Sequence, residues 1–222
     1  MSKNEQNAEI IAYEKIKRAI MLKRLLPGQQ LAEEWISKNL NMSRTPVRAA
    51  LKKLQEERLV EIIPRRGAFV YEPSIKEIQD VFDVRLILEC FAAKSAAPLI
   101  QDCDIKEMNK LLKREQKAYK EKNLEGFIEV NNAIHILPAK ITKNEVLVYQ
   151  INTLLDWSNC YVVLRDPFYN RSVETAKNIP EHKDIFEALS NKQSKEAEEA
   201  VRIHLKSTAD SLEAPLNIFD EI

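Results

Sequence analysis

The chain has 222 residues, room for one large domain or two modest ones, and its 45% hydrophobic and 31% charged residues are the mix of a globular protein with a true core. Only three glycines occur, which argues against a sandwich, a barrel or a glycine-rich nucleotide loop and favours long helices joined by short turns. No apolar run approaches a membrane span, and the polar start Met1-Ser2-Lys3-Asn4-Glu5-Gln6-Asn7 lacks the apolar centre of a signal peptide, so a cytoplasmic location is expected.

Cys90, Cys103 and Cys160 are odd in number and show no CxxC spacing, and they are expected to be free, buried thiols in a reducing compartment. The formal net charge is zero, but it is unevenly spread. Residues 1–73 hold 14 Lys+Arg against 9 Asp+Glu, whereas the remainder holds 20 against 25. A basic segment joined to an acidic one suggests that the first faces an anion, although scatter alone also produces such a difference.

In chain order, Ile10, Ile11, Ile16, Ala19 and Ile20 recur at helical spacing and predict a helix over 8–23, ended by Leu25-Leu26-Pro27-Gly28. A second helix is predicted over 32–40, with Ile36 and Leu40 inward. Asn41-Met42-Ser43 is a tight turn, Ser43 suits an N-cap, and Pro46 sits in the following first turn. The third helix, over 44–58, places Val47, Leu51 and Leu54 on one face and Arg44, Arg48 and Lys52 on another. Two strand-like runs follow, 59–63 and 68–71, joined by a tip containing Pro64, Arg65, Arg66 and Gly67. This is the order of a winged helix-turn-helix. Beyond Pro73 only helices are predicted, over 75–98, 105–121, 124–141, 144–164, 180–191 and 194–213, with Pro138 bending the third beyond His135. The expected protein is mainly α: a winged helix-turn-helix over 1–73, then an antiparallel bundle of about six helices over 76–222.

Arginines at the front of a helix can enter the major groove and bind guanine bidentately, while hydroxyls reach phosphates. Ser43, Arg44, Thr45 and Arg48 supply that set, and Arg65 and Arg66 can reach the backbone or minor groove beside it. A basic stripe by itself also fits an ordinary solvated face; the two arginines at the hairpin tip favour nucleic acid.

Leu26-Pro27-Gly28, Leu31-Ala32-Glu33, the run Ser43-Arg44-Thr45-Pro46-Val47-Arg48-Ala49-Ala50-Leu51, and Arg66-Gly67-Ala68-Phe69-Val70 together resemble the GntR-family signature. The match is in register over about 60 residues. The resemblance implies that Ser43, Arg44, Thr45 and Arg48 contact operator DNA and that Arg66-Gly67 belongs to the wing. Arg58 stands where the family often has glycine.

All three histidines lie in the helical half. Asn131 and His135 share a helix face, His182 begins a second helix and His204 lies on the next, so three helices can converge on one ion and leave open coordination positions. Isolated histidines are more often core or surface residues, and spacing alone leaves this open. The segments Arg85-Leu86-Ile87-Leu88-Glu89, Asn131-Asn132-Ala133-Ile134-His135, Glu181-His182 and His204-Leu205 resemble, in order, the motifs of the FCD domain. That resemblance implies a divalent metal on Asn131, His135, His182 and His204, with zinc expected and nickel or manganese as alternatives. Asn131 replaces the usual aspartate and Ile134 the usual phenylalanine, and an amide oxygen is a weaker ligand than a carboxylate.

The same resemblance implies a small carboxylate metabolite beside the metal. Arg85 can pair a carboxylate bidentately or simply pair with Glu89 one turn on; Tyr161 and Arg165 are further pocket candidates. The expected partners are double-stranded, pseudo-palindromic operator DNA and a second copy of the chain, the whole acting as a metabolite-responsive repressor. Two other readings compete. One is a metal-dependent hydrolase with Glu181 as general base, for which no HExxH motif or Ser-His-Asp order is present. The other is an architectural DNA-binding protein without a ligand. No catalytic residue is assigned.

Overall fold

The computed structural model describes residues 3–214, with side chains from residue 7 onward. Its contacts divide the chain into two compact units, one of residues 1–74 with 160–164 and one of 75–159 with 165–222.

The first unit contains α1 (Lys3–Met21), β1 (Gln30–Leu31), α2 (Glu33–Leu40), α3 (Arg44–Glu56), β2 (Val60–Ile63) and β3 (Gly67–Val70). On α3, Val47, Leu51 and Leu54 are fully buried, so the apolar stripe of the sequence is the core-facing side, and α1 packs on it through Ile16 and Ile20. Ile10 and Ile11, expected on that inward stripe, are exposed; Ala12 and Tyr13 are buried instead. The strands form an antiparallel sheet in the order β1-β3-β2, with Leu31 opposite Ala68 and Ile63 opposite Gly67. The two-residue β1 is too short to leave an alternation in sequence. It forms because Gly28, at φ 77°, turns the chain so that Gly28 N–H reaches the Val70 carbonyl and Val70 N–H reaches that of Gln29.

The hairpin between β2 and β3 is a winged tip in which Arg65 and Gly67 both have positive φ, 65° and 97°. Arg58, at the turn into β2, also lies in the left-handed region at φ 60°. Glycine takes that conformation without the Cβ clash an arginine meets there.

The second unit is helical: α4 (Ile75–Ala96), α5 (Asp102–Lys120), α6 (Leu124–Ile141), most of α7 (Glu145–Arg165), α8 (Asn178–Ser190) and α9 (Ser194–Glu213). Its core is built where α4 packs on α6 and α9, α8 on α9, and α5 on α6 and α8. Ile151 and Leu155 of α7 join Ala92, Ile136 and Ala139 in one apolar cluster. Pro138 lies inside α6, which runs on to Ile141. Cys90 and Cys160 are buried free thiols, while Cys103, expected to be buried, is exposed because it falls in the solvent-facing first turn of α5. No helix among the described residues is long and apolar enough to cross a membrane.

The conformation of Arg58 yields a stability prediction. Replacing it with glycine relieves left-handed strain, and chemical denaturation of Arg58→Gly should show a gain of about 1 kcal/mol. An unchanged or lowered midpoint would mean that the arginine's own contacts outweigh the strain.

Candidate functional site

The DNA-facing candidates of the first unit sit where a short helix emerges from its turn. Asn41 closes α2 in the left-handed conformation, and Ser43 occupies the N-cap position of α3 with extended backbone. Its hydroxyl, expected to cap the helix, makes no cap hydrogen bond. The exposed hydroxyl is thus not engaged with the first-turn amides of α3, and a free hydroxyl at a helix start is a donor that a phosphate oxygen accepts from. Ser43, Arg44, Thr45, Arg48, Arg65, Arg66 and Gly67 are all exposed. In α3 the contrast between faces is complete: Val47, Ala50, Leu51 and Leu54 face the core, while Arg44, Arg48 and Lys52 face solvent.

The two arginines at the front of α3 are not bare. Arg48 donates from Nε and Nη2 to the two carboxylate oxygens of Glu33 at 3.0 and 2.8 Å, and Arg44 donates from Nη2 to Glu34 at 3.0 Å. The Arg48 hydrogen bonds lower the Glu33 carboxyl below its ordinary range. At the wing, Arg66 lies over the Phe69 ring, and Gln30 Nε2 donates to the Arg66 carbonyl at 3.1 Å, tying the tip to β1.

In the second unit the three histidines converge. His135 of α6, His182 of α8 and His204 of α9 are 7%, 0% and 1% exposed, and their potential ligand atoms all lie within 4.8 Å of one another. His204 Nε2 is 3.2 Å from His182 Nε2 and 3.3 Å from His135 Nε2. Each ring is held from behind by a carboxylate. His135 Nδ1 donates to Glu89 at 2.7 Å, His182 Nδ1 to Glu115 at 2.7 Å, and His204 Nδ1 to Glu181 at 2.8 Å. Because a carboxylate accepts, the proton sits on every Nδ1 and three Nε2 lone pairs face a common point.

Two of the three nitrogen separations suit a cation. With metal–nitrogen bonds of about 2.1 Å, two nitrogens lie about 3.0 Å apart at a right angle and about 3.4 Å apart at the tetrahedral angle, and the two observed separations fall between these. The charges agree as well. Three carboxylates, Glu89, Glu115 and Glu181, stand around the rings against one guanidinium, Arg85, an acidic surplus of the kind a cation offsets.

The carboxylates are themselves positioned. Glu89 is 3% exposed; burial pushes its carboxyl up, but the Arg85 guanidinium and then His135 outweigh this and hold it at about 2. Arg85 Nε donates to Glu89 at 2.7 Å and Nη1 to Ser158 at 3.1 Å, while its buried Nη2 has no hydrogen-bond partner among the described residues. Glu115 is fully buried and accepts through one oxygen from both His182 and Asn178, the latter at 2.6 Å; Asn178 in turn accepts from Tyr119 at 2.8 Å. Tyr119 packs on Phe127 and Phe168, so this network anchors the irregular stretch between α7 and α8. Burial raises the Glu181 carboxyl, which also lines an outward groove with Asp184, Glu196 and Glu199.

The structure therefore brings His135, His182 and His204 together, with Arg85 linked to them through Glu89. Asn131 lies half-buried one turn before His135 on α6. Tyr161 is fully buried and groups with the first unit, and Arg165 donates from Nη2 to the Ala214 carbonyl at 3.3 Å. Sequence reasoning missed Glu115 and saw Glu89 as a partner of Arg85 and part of the FCD-like motif, not as the support of a histidine. A signal existed: Glu115 stands on the apolar stripe Met108, Leu111, Ala118, and Arg85 and Glu89 stand on the stripe Ile78, Phe82, Ala92. A charge at a core position of an amphipathic helix marks a buried polar site.

A basic winged helix with outward arginines, in a chain that also carries a helical bundle with a buried polar centre, defines a DNA-binding regulator of transcription. Two family models match: bacterial regulatory proteins, gntR family, over residues 11–70, and the FCD domain over residues 80–207. The chain belongs to the GntR family and carries an FCD domain, and its relatives are transcription regulators rather than enzymes. It is 28% identical over 200 residues to the HTH-type transcriptional repressor RspR of Escherichia coli (strain K12), covering 90% of this chain and 86% of that protein. It is 31% identical over 117 residues to the gluconate operon transcriptional repressor of Bacillus subtilis (strain 168), covering 53% and 47%. Among solved structures, E. coli McbR/YncC shares the fold with a TM-score of 0.62 at 20% identity, covering 96% of this chain and 98% of that one. A GntR-family regulator from Pseudomonas syringae pv. tomato str. DC3000 has a TM-score of 0.53 at 21% identity, covering 93% and 86%.

Two outcomes are expected. In a gel-shift series, Arg44→Ala should cost roughly 1–3 kcal/mol at one position of each half-site and relax selectivity there. Equal binding by variant and parent would remove Arg44 from the interface. For the metal-free protein, burial holds the His135 ring below its ordinary value, and burial and then the other two rings hold His204 further down. A histidine that protonates more readily unfolded contributes stability above the unfolded value, and that contribution is lost as pH falls. Glu89 adds a loss in the same direction between about 4.5 and about 2. The urea midpoint should therefore fall from pH 7.5 to 5.5, less steeply in His204→Asn; equal slopes would detach this ring from the acid response.

Proposed function

We propose that the chain is a metabolite-responsive repressor whose helical unit holds a divalent metal on His135, His182 and His204 and a small organic acid beside it. One observation carries the reading: three imidazole nitrogens face one buried point, each fixed by a carboxylate on its far nitrogen. Three nitrogens of borderline softness suit zinc, with nickel or manganese as alternatives, and a three-histidine set leaves positions open. Asn131, one helical turn from His135, is a fourth candidate ligand through its amide oxygen.

The organic acid follows from Arg85. Its Nη2 is buried without a hydrogen-bond partner among the described residues, a position a protein seldom leaves unfilled. A ligand carboxylate that bridges this guanidinium edge and an open metal position satisfies both. Two copies would associate through their helical units, since α4 exposes Val84, Ile87 and Phe91 along one face, at 45%, 66% and 56%. A dimer so built presents two recognition helices to a pseudo-palindromic operator. The effector shifts operator affinity by no more than its differential affinity for the two states of the protein.

Elemental analysis of protein purified without a histidine tag, then resupplied with zinc, should give about one ion per chain. His204→Ala should abolish binding, and Glu115→Gln should weaken it about 10–100-fold by freeing the His182 ring. A thermal-shift screen of carboxylic acids on the metal-loaded protein should find a stabilising ligand that Arg85→Ala no longer senses. Less than a small fraction of one ion after resupply would sink the metal reading.

A further inference from the structure

The recognition helix carries its acidic neighbours with it. Glu33 and Glu34 are adjacent on α2, yet they treat the arginines of α3 differently. Glu33 is the more sheltered, with its side chain 31% exposed, and it engages Arg48 through both oxygens. Two parallel bonds fix the plane of the guanidinium and leave its remaining N–H groups outward, so Glu33 is a buttress. Glu34 is 59% exposed and makes one bond to Arg44, itself 60% exposed, while Lys38 approaches its other oxygen at 3.2 Å. A singly bonded, exposed pair of this kind is worth little in the free protein and is easily opened.

The consequence appears when Arg44 enters a groove. A carboxylate 3.0 Å from a guanidinium that reads base edges is itself within reach of those edges. Guanine offers O6 and N7 as acceptors to arginine, and the cytosine paired with it offers an N4 amino donor at the neighbouring position of the major groove, which a glutamate accepts from. Where the duplex presents no amino donor there, the carboxylate is desolvated against acceptors and close to phosphates, and the encounter is penalised. We propose that Glu34 is a specificity-determining residue of the operator interface, acting with Arg44 as a paired reader that favours a G·C pair and disfavours duplexes lacking an amino group at that point. The inference rests on α3 being the recognition helix, which the selectivity lost in Arg44→Ala tests separately.

The experiment uses the full-length chain. The unmodified protein selects its preferred duplex from a random pool, and dissociation constants are then measured for that duplex and a scrambled one at several salt concentrations. The proteins compared are the parent, Glu34→Gln, and Glu14→Gln, which removes the same charge from an exposed position of α1. The ratio of scrambled to selected dissociation constants should fall about fivefold or more in Glu34→Gln and stay unchanged in Glu14→Gln. Reselection with Glu34→Gln should relax one base pair in each half-site. A fall in the ratio supports the assignment whether it comes from weaker selected binding or from tighter scrambled binding. Equal changes in both constants, matching Glu14→Gln, would make Glu34 a plain charge and overturn it.

Discussion

Three imidazole rings share one buried pocket in the helical unit, with their Nε2 atoms gathered toward a common point. His135, His182 and His204 are in that position because Glu89, Glu115 and Glu181 claim the opposite nitrogen of each ring. Much of the helical unit is arranged around this pocket. Four of its helices contribute a ring or its carboxylate besides core: α4 supplies Glu89, α5 Glu115, α6 His135 and α9 His204. A fifth, α8, supplies both His182 and Glu181, so a single helix contributes one ring and backs another. Burying the carboxylates is costly without compensation, and compensation comes from Arg85, Asn178 and the rings themselves.

The first unit solves a different electrostatic problem, at the surface. Its arginines must remain available to an anion and yet be oriented before it arrives. Glu33 achieves the second at Arg48 by a bidentate pair on the flank of α3, and the sheltered N-terminal Pro46 sets the helix start so that Ser43 and Thr45 stay outside. Strain is accepted in the same region: Arg58 and Arg65 hold left-handed conformations so that the hairpin closes with a guanidinium at its tip.

What sequence could reveal follows from which interactions are local. The apolar and basic faces of α3 are set by positions three and four apart, and they stand as the spacing predicts. The helices of the second unit were likewise legible to within a few residues, because α6 and α9 begin and end at strong turn signals. The histidines were legible through motif order. Their carboxylates were harder to see: α5 is dense with charges, and Glu115 is told from the exposed Glu121 only by its place on the stripe of Met108, Leu111 and Ala118. β1 escaped for another reason: two residues carry no period, and the strand exists only because β3 offers an edge.

The opposite charges of the two halves, which looked like one asymmetry, have separate physical origins. In the basic half the excess is solvent-facing, concentrated on α3 and the wing, where it lowers the free energy of approach to phosphates. In the acidic half a meaningful part is interior: Glu89 and Glu115 are buried, Glu181 is mostly so, and Arg85 offsets one of them. Those charges cannot steer a partner at the surface, because they are spent on rings within the fold. Net charge counted along a chain therefore speaks of function only after burial has sorted which charges water and polyanions can reach.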